Sequence, residues 1–317
     1  MIVSTVIDQN YEGMRIDAYL ALKYTYFSRS AWRKNIGKGI VFVNRKIIKP
    51  SYVLKNGDSV EYDRDISSEP FVDRNIEIIY DDDCLTVVNK SGNLPVHASG
   101  KYFNNTMTAL LREKYGFGDV HLINRIDRET SGIVLIGKTA EYAAVFQKLF
   151  SEKSIEKKYT AVVHGEIRES EFVIDRPLGP RPDSLIRNRQ YVTNNGLPSI
   201  TQFRLLGNMD GYSLLECMPV TGRTNQIRAH LCSIGHTIAG DKLYGDPEAY
   251  LAYIENRISD EEYLGGMSIH RQALHCGSMN FRHPFTGEDI EIRAPLPTDI
   301  RGLIIKSGGE GLLSLVP

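Results

Sequence analysis

At 317 residues the chain is longer than the roughly 250 to 300 at which one hydrophobic core stops growing, so two domains are expected. With 42% hydrophobic and 24% charged residues, and apolar runs broken well short of the about 18 needed to cross a bilayer, a membrane span and wholesale disorder are excluded. The net charge of −1 hides an uneven distribution, because between Arg15 and Lys49 nine basic residues stand against one acid, Asp17.

That basic stretch begins with Ile16, Leu20 and Leu22 at roughly helical spacing, and Ser28 is placed to cap a second helix that carries Trp32 and Ile36 and ends at Gly37 and Gly39. The alternating run Ile40-Val41-Phe42-Val43, a turn at Asn44-Arg45, and Lys55-Asn56-Gly57-Asp58 leading into Ser59-Val60-Glu61-Tyr62 predict small strands. Arg29, Arg33, Lys34 and Lys38 fall at helical spacing and would share one face, suited to neutralising phosphates rather than reading bases. A solvated basic helix is the plainer alternative. Asp65 to Pro70 mixes Ser, Pro and acids and reads as a linker, giving expected domains at 1–66 and 72–317.

Ile76 to Tyr80, the turn Asp81-Asp82-Asp83 and Cys84 to Lys90 predict a hairpin. The three Asp are read as a turn, since no second acidic cluster stands at metal-ligand spacing. Asn105 or Thr106 then caps a helix through Met107, Leu110, Leu111 and Tyr115. Asp127 follows on a loop beside Arg125, Arg128 and Glu129, ahead of the apolar strand Gly132 to Ile136; by residue type alone it is a candidate only, because caps and turns use Asp equally. Farther on, Gln226 to Leu231 should be a helix capped by Thr224 and ended by Gly235, with Ile227 and Leu231 on its core face and Arg228 fixed on a rigid element. Arg223, in the turn before it, is placed for phosphate. The stretch Arg176 to Gln190 holds Arg176, Arg181, Arg187 and Arg189 among loop formers and is either an RNA grip or a solvated loop. Asp246 to Gly266 reads as an acidic, partly helical insertion where RNA contact is not expected.

Many short strands mixed with helices, without a βαβ rhythm, predict an α+β fold with a mostly antiparallel sheet. Neither GxGxxG nor GxxxxGK[ST] occurs and no histidines stand at HExxH spacing, so neither a cofactor nor a metal is expected. The four cysteines are isolated and the first residues carry no basic-then-apolar leader, which points to the cytoplasm.

Two resemblances sharpen this reading. The string RIDAYLALKY…SRSAWRKNIGKGIVFVNRKIIKPSYVLKNGDSVEY resembles the S4-like RNA-binding domain. The strings NRIDRETSGIVLIGK, KYTAVVHG, VTGRTNQIRAHL with GHTIAGDKLYG, QALHC and FRHPFTG, in that order, resemble the pseudouridine synthases of the RluA/RluC/RluD type. What the second resemblance implies is a bent, mostly antiparallel mixed sheet flanked by helices, and isomerisation of uridine in RNA without a cofactor. It maps catalysis to Asp127, pairs it with Arg228, places Tyr159 in the active site, and leaves Arg125 as the candidate contact where the target base is flipped out of its stack. The implied partner is RNA, ribosomal large-subunit RNA ahead of transfer RNA, and the implied state is a monomer. Asn124 and Asn225 stand where His is common, and Ser91 where Pro is; Asn keeps hydrogen bonding but carries no positive charge, which keeps a non-catalytic RNA-binding or ribosome-assembly factor as the competing reading.

Overall fold

The computed structural model describes residues 2–24, 27, 29–63, 69–99, 102–181, 183–184, 186, 189–254 and 257–316. Ser28, most of the expected linker and Arg187 lie outside the described residues. The chain divides into two compact units, Met1–Val72 with His97–Tyr115, and Asp73–Val96 with Gly116–Pro317. Residues 97–115, which the sequence reading assigned to the second domain, therefore cluster with the first.

The first unit contains β1 (Ile2–Val6), α1 (Ile16–Lys23), α2 (Arg29–Gly37), β2 (Val41–Val43), β3 (Lys46–Ile47), β4 (Ser59–Asp63) and α3 (Met107–Tyr115), with the sheet order β1-β4-β2-β3. Asn44 and Arg45 both take positive φ, 49° and 64°, the turn whose twist suits a two-residue hairpin, so Val43 pairs with Lys46. Trp32 and Ile36, one turn apart on α2, are buried with Ile16, Tyr19 and Leu20 of α1 against Val41, Val60 and Tyr62. Leu22, counted with that apolar set in the sequence, is exposed. The sequence reading missed β1 because its pattern runs the wrong way: apolar Ile2 and Val6 are exposed while Val3 and Thr5 are the half-buried positions. Thr106 caps α3, its hydroxyl accepting from the Ala109 N–H at 3.2 Å, and Met107, Leu110 and Leu111 are buried.

The second unit runs through β5 (Ile76–Asp81), β6 (Leu85–Lys90), β7 (His121–Leu122), β8 (Ser131–Gly137), α4 (Ala140–Ser151), β9 (Glu156–His164), β10 (Glu171–Asp175), β11 (Leu178–Gly179), β12 (Tyr191–Val192), β13 (Ile200–Met209), β14 (Tyr212–Pro219), α5 (Gln226–Ser233), α6 (Pro247–Ile254), α7 (Asp260–Gly265), β15 (Leu274–Arg282), β16 (Asp289–Arg293) and α8 (Thr298–Lys306). Ten strands form one sheet of order β10-β13-β14-β9-β15-β8-β6-β5, with β16 beside β15 and β7 beside β8. Among the described residues its ladders are antiparallel except β8 with β15, so the expected mixed, mostly antiparallel α+β architecture is what forms. The Asp81 to Asp83 turn works through Asp82, whose carboxylate accepts from the Cys84 and Leu85 N–H groups at 2.7 Å.

All of β8 is buried, and its approach to β15 depends on one glycine. Gly132 has φ +109°, and a side-chain carbon there would lie 2.2 Å from the Cys276 carbonyl oxygen. Tyr159 packs against both hydrophobic clusters of this unit, one around Leu214, Leu231 and Ile304, the other around Val87, Leu135 and Phe146.

Candidate active site

Asp127 lies on the loop between β7 and β8, and that loop is tied down on both sides. Asn124 does structural work where His is common: its side-chain oxygen accepts from the Leu135 N–H at 2.7 Å. Lys90, fully buried at the end of β6, donates to the Arg128 carbonyl at 3.0 Å and to the Ser91 carbonyl at 2.7 Å. Burial, aided by nearby Arg271, pulls its ammonium well below the usual lysine range. On the far side the Glu129 carboxylate accepts from Arg128 at 2.7 Å and Lys242 at 2.8 Å, and Arg271 donates to the Glu129 carbonyl at 3.0 Å while gripping Asp299 at 2.6 and 2.8 Å. The loop thus meets residues 270–272 just ahead of β15, where β8 and β15 both begin.

Arg228 is the third residue of α5. Gln226 lends that helix its start by reaching back, its side-chain oxygen accepting from the Arg223 N–H at 3.0 Å and the Thr221 hydroxyl at 2.7 Å. Thr224, expected as the cap, is exposed; the capping position is Asn225, in the left-handed region at φ 55° without a side-chain cap bond. Ile227 and Leu231 face the core as expected. His230 accepts from the Thr201 hydroxyl at 2.9 Å and donates from Nε2 to the Arg176 carbonyl at 3.0 Å; a carbonyl cannot donate, so Nε2 carries the proton.

The Arg228 guanidinium is divided among three acceptors. Nε and Nη2 hold the two oxygens of fully buried Asp241 at 2.6 and 2.9 Å, and Nη1 reaches Asp127 Oδ2 at 2.6 Å and the Asn225 side-chain oxygen at 2.8 Å. Burial works against its charge, but the Asp241 and Asp127 carboxylates hold it above the usual arginine range. Asp241 also accepts from the Leu243 and Tyr244 N–H groups at 2.9 and 3.0 Å. Asp127 keeps 35% of its side chain exposed against 10% for Arg228, so the pair has one open side.

Tyr159, in the middle of β9, sits directly across from Cys276 of β15. Burial raises its phenol well above the ordinary range, helped by a hydrogen bond with the Cys276 thiol and by the nearby Asp127 charge. It is therefore a neutral phenol at ordinary pH. The Cys276 thiol is itself pushed by burial up to about 12.

The structure thus brings Asp127, Arg228 and Tyr159 together. Arg125 is exposed on the Asp127 loop, and Arg223 is exposed before α5 with its Nε on the Pro198 carbonyl at 3.2 Å. Arg29, Arg33, Lys34 and Lys38 belong to the other unit and are all exposed, Lys38 just beyond the last residue of α2. Buried Asp17 gathers Arg15 and Arg29 at 3.0 and 3.2 Å, with Arg33 at 4.0 Å. Sequence reasoning missed Lys90, Asp241 and Tyr244. A lysine closing an otherwise apolar strand was a usable signal for the first; the other two lie inside GHTIAGDKLYG, a string that carried the resemblance but marked no role for either.

Residues 85–233 match the family described as RNA pseudouridylate synthase. The ribosomal large subunit pseudouridine synthase C of Vibrio parahaemolyticus is 33% identical over 314 residues, covering 94% of this chain and 94% of that protein. The chain belongs to the RNA pseudouridylate synthase family. Ribosomal large subunit pseudouridine synthase D of Nitrosomonas europaea is 29% identical, over 95% of this chain and 87% of its own. Among solved structures, human RNA pseudouridylate synthase domain containing 1 matches with a TM-score of 0.54 at 25% identity, covering 72% of this chain and 86% of that one. As an RNA pseudouridylate synthase the protein is an enzyme whose substrate is RNA and whose product is pseudouridine. No helix among the described residues is long and apolar enough to cross a membrane.

Proposed function

We propose that this enzyme isomerises specific uridines of large-subunit ribosomal RNA in the cytoplasm, with Asp127 as its catalytic carboxylate, residues 72–317 as the catalytic domain and residues 1–66 as an S4-like RNA-binding domain. The observation that carries the mechanism is the 2.6 Å contact between Asp127 and an arginine already fixed by Asp241. The names of the two bacterial relatives support the ribosomal substrate.

The bond between ribose C1′ and uracil N1 breaks, C1′ joins C5, C5 loses its proton and N1 gains one. Atoms and electrons balance within the substrate, so no electron carrier is required. Arg228 holds its guanidinium 2.6 Å from the Asp127 carboxylate while Asp241 fixes it from the other side. Ionised Asp127 either adds to the ring or ribose or assists loss of a ribose proton; both routes fit. Tyr159 offers its ring to the uracil, and because its phenol is held neutral, proton movement through it is a relay rather than abstraction by a phenolate. A uridine in folded RNA must leave its stack, and Arg125, exposed on the Asp127 loop, is the residue we assign to the gap. Arg223, Arg29, Arg33, Lys34 and Lys38 contribute phosphate contacts.

The test is carbodiimide mapping of pseudouridine in ribosomal and transfer RNA from cells lacking the gene, complemented with wild type or Asp127→Asn. Sites lost on deletion and restored only by wild type establish the target, and the variant should bind RNA nearly as well as wild type. Changes confined to transfer RNA would move the substrate, and restoration by Asp127→Asn would remove Asp127 from its role. No change at any site, with ribosomal RNA still bound, would leave a binding factor.

A further inference from the structure

The arginine-bearing loop between β11 and β12 and the arginine that holds Asp127 meet on one side chain, Tyr244. Its hydroxyl accepts from the Gln190 N–H at 2.8 Å and donates to the Gln190 carbonyl at 3.1 Å, so one phenol binds both backbone groups of a loop residue. Its ring faces two guanidinium groups, with the Arg228 carbon 5.1 Å and the Arg189 carbon 5.0 Å from the centroid. Arg189 also lies 5.3 Å from the Tyr191 ring and Arg181 4.6 Å from it, so these two loop arginines each rest on an aromatic face. The loop is closed at its base by pairing of Gly179 with Tyr191 and Leu178 with Val192. Tyr244 is only 2% exposed and packs with Leu178 and Ala229, and Asp241, the clamp of Arg228, accepts from its N–H.

Packing alone asks of a buried tyrosine one hydrogen-bond partner and apolar neighbours. Here the hydroxyl holds the loop backbone at Gln190, while the ring lies against one guanidinium from the loop and one from α5. We propose that Tyr244 is a positioning residue with two tasks: its hydroxyl sets the Gln190 backbone and with it the neighbouring Arg189, which grips the RNA strand, and its ring sets the plane of Arg228 against Asp127. The inference rests on the reading of Asp127 and Arg228 as the catalytic pair.

The experiment is tritium release from an in vitro transcript of large-subunit ribosomal RNA carrying 5-tritiated uridine, with kcat and KM measured separately. Tyr244→Phe removes the hydroxyl's bonds to Gln190 and its contact with Asn225 but keeps the ring under Arg228, and should raise KM by about 5- to 10-fold while kcat stays within about threefold. Tyr244→Leu also removes the ring under Arg228 and should lower kcat by about 10- to 100-fold, the scale of an ångström-level misplacement of a catalytic group. Arg189→Leu, which removes the loop guanidinium from the Tyr244 ring, should raise KM as the Phe variant does. A Leu variant with wild-type kcat, a Phe variant that loses kcat as deeply as Leu, or an unchanged KM in both Tyr244→Phe and Arg189→Leu overturns the proposal; if the Leu variant does not fold, the other two decide it. Wild type and Asp127→Asn run alongside: tritium release by Asp127→Asn, or none by wild type, removes the reading beneath, whereas normal behaviour of both with no split between KM and kcat removes only the role of Tyr244.

Discussion

The ammonium of Lys90, with no exposed surface, donates to the carbonyl of Arg128, the residue that follows Asp127. The Leu94 N–H meets the same carbonyl at 2.9 Å, so the backbone beside Asp127 is fixed by one donor at the end of β6 and another four residues past it. Lys90→Met keeps the volume and removes one donor. Two buried carbonyls then lose a partner, and unfolding in urea should show a loss of about 1–3 kcal/mol. Turnover should fall about 10-fold or more with little change in RNA affinity, because the loss is of placement rather than of contact. A variant with full kcat would mean that the Leu94 contact alone suffices.

Asp241 and Asp127 both accept from Arg228, yet they should respond differently to loss of charge. Asp241 is wholly buried and holds two guanidinium nitrogens, so Asp241→Asn leaves a buried cation with Asp127 alone to balance it; the expected loss is about 3–5 kcal/mol of folding stability together with most of the activity. Asp127→Asn, on a partly open side chain, should abolish turnover with a much smaller change in stability. Equal urea midpoints for the two variants would contradict this division.

In the N-terminal unit the one acid of the basic stretch is its organiser. Burial disfavours the charge of Asp17, but hydrogen bonds from Arg15 and Arg29 outweigh burial and hold its carboxyl below the usual range. On net charge, Asp17→Asn should tighten RNA binding. On geometry it should weaken it, about 3- to 10-fold, with a shallower dependence on salt as the arginines lose their common anchor. Filter binding across a salt series separates the two, and tighter binding by the variant would show that the cluster does not need its carboxylate.

His275 is buried between the Ser131 hydroxyl at 3.0 Å and the Ala294 carbonyl at 3.1 Å, joining β15 to β8 and to the chain just past β16. Burial lowers its imidazole from 6.5 to about 4. Between those values the unfolded chain binds the proton and the folded chain does not, so stability is complete above pH 6.5, falls as the pH drops through this window and levels off below about 4. The group contributes up to about 3 kcal/mol of that slope. Burial lowers His164 and His230 as well, which adds in the same direction. Urea unfolding at pH 7.5, 6 and 5 checks the trend, and a flat profile in the wild type would contradict it.

What the sequence determined by itself follows from patterns that are local. Apolar runs about the Asp81 to Asp83 turn placed β5 and β6, the Asn44-Arg45 turn set the small hairpin, and Ile227 with Leu231 set the buried face of α5, because period and turn chemistry act within a few residues. The motif order carried the family, and with it Asp127, Tyr159 and Arg228. Tertiary structure alone decided the rest. Asp241, Lys90, Cys276 and Tyr244 touch the site from elements far apart in the chain, and a partner brought close by sheet register leaves no periodic trace. Asn225 rather than Thr224 takes the capping position of α5 for the same reason: the Gln226 side chain donates to the Ile200 carbonyl and the Thr201 hydroxyl of β13, which fixed that turn where cap propensity pointed one residue earlier. Even β1, local as it is, depended on β4 lying beside it, since strand formation rests on a neighbour's hydrogen bonds as much as on its own apolar residues.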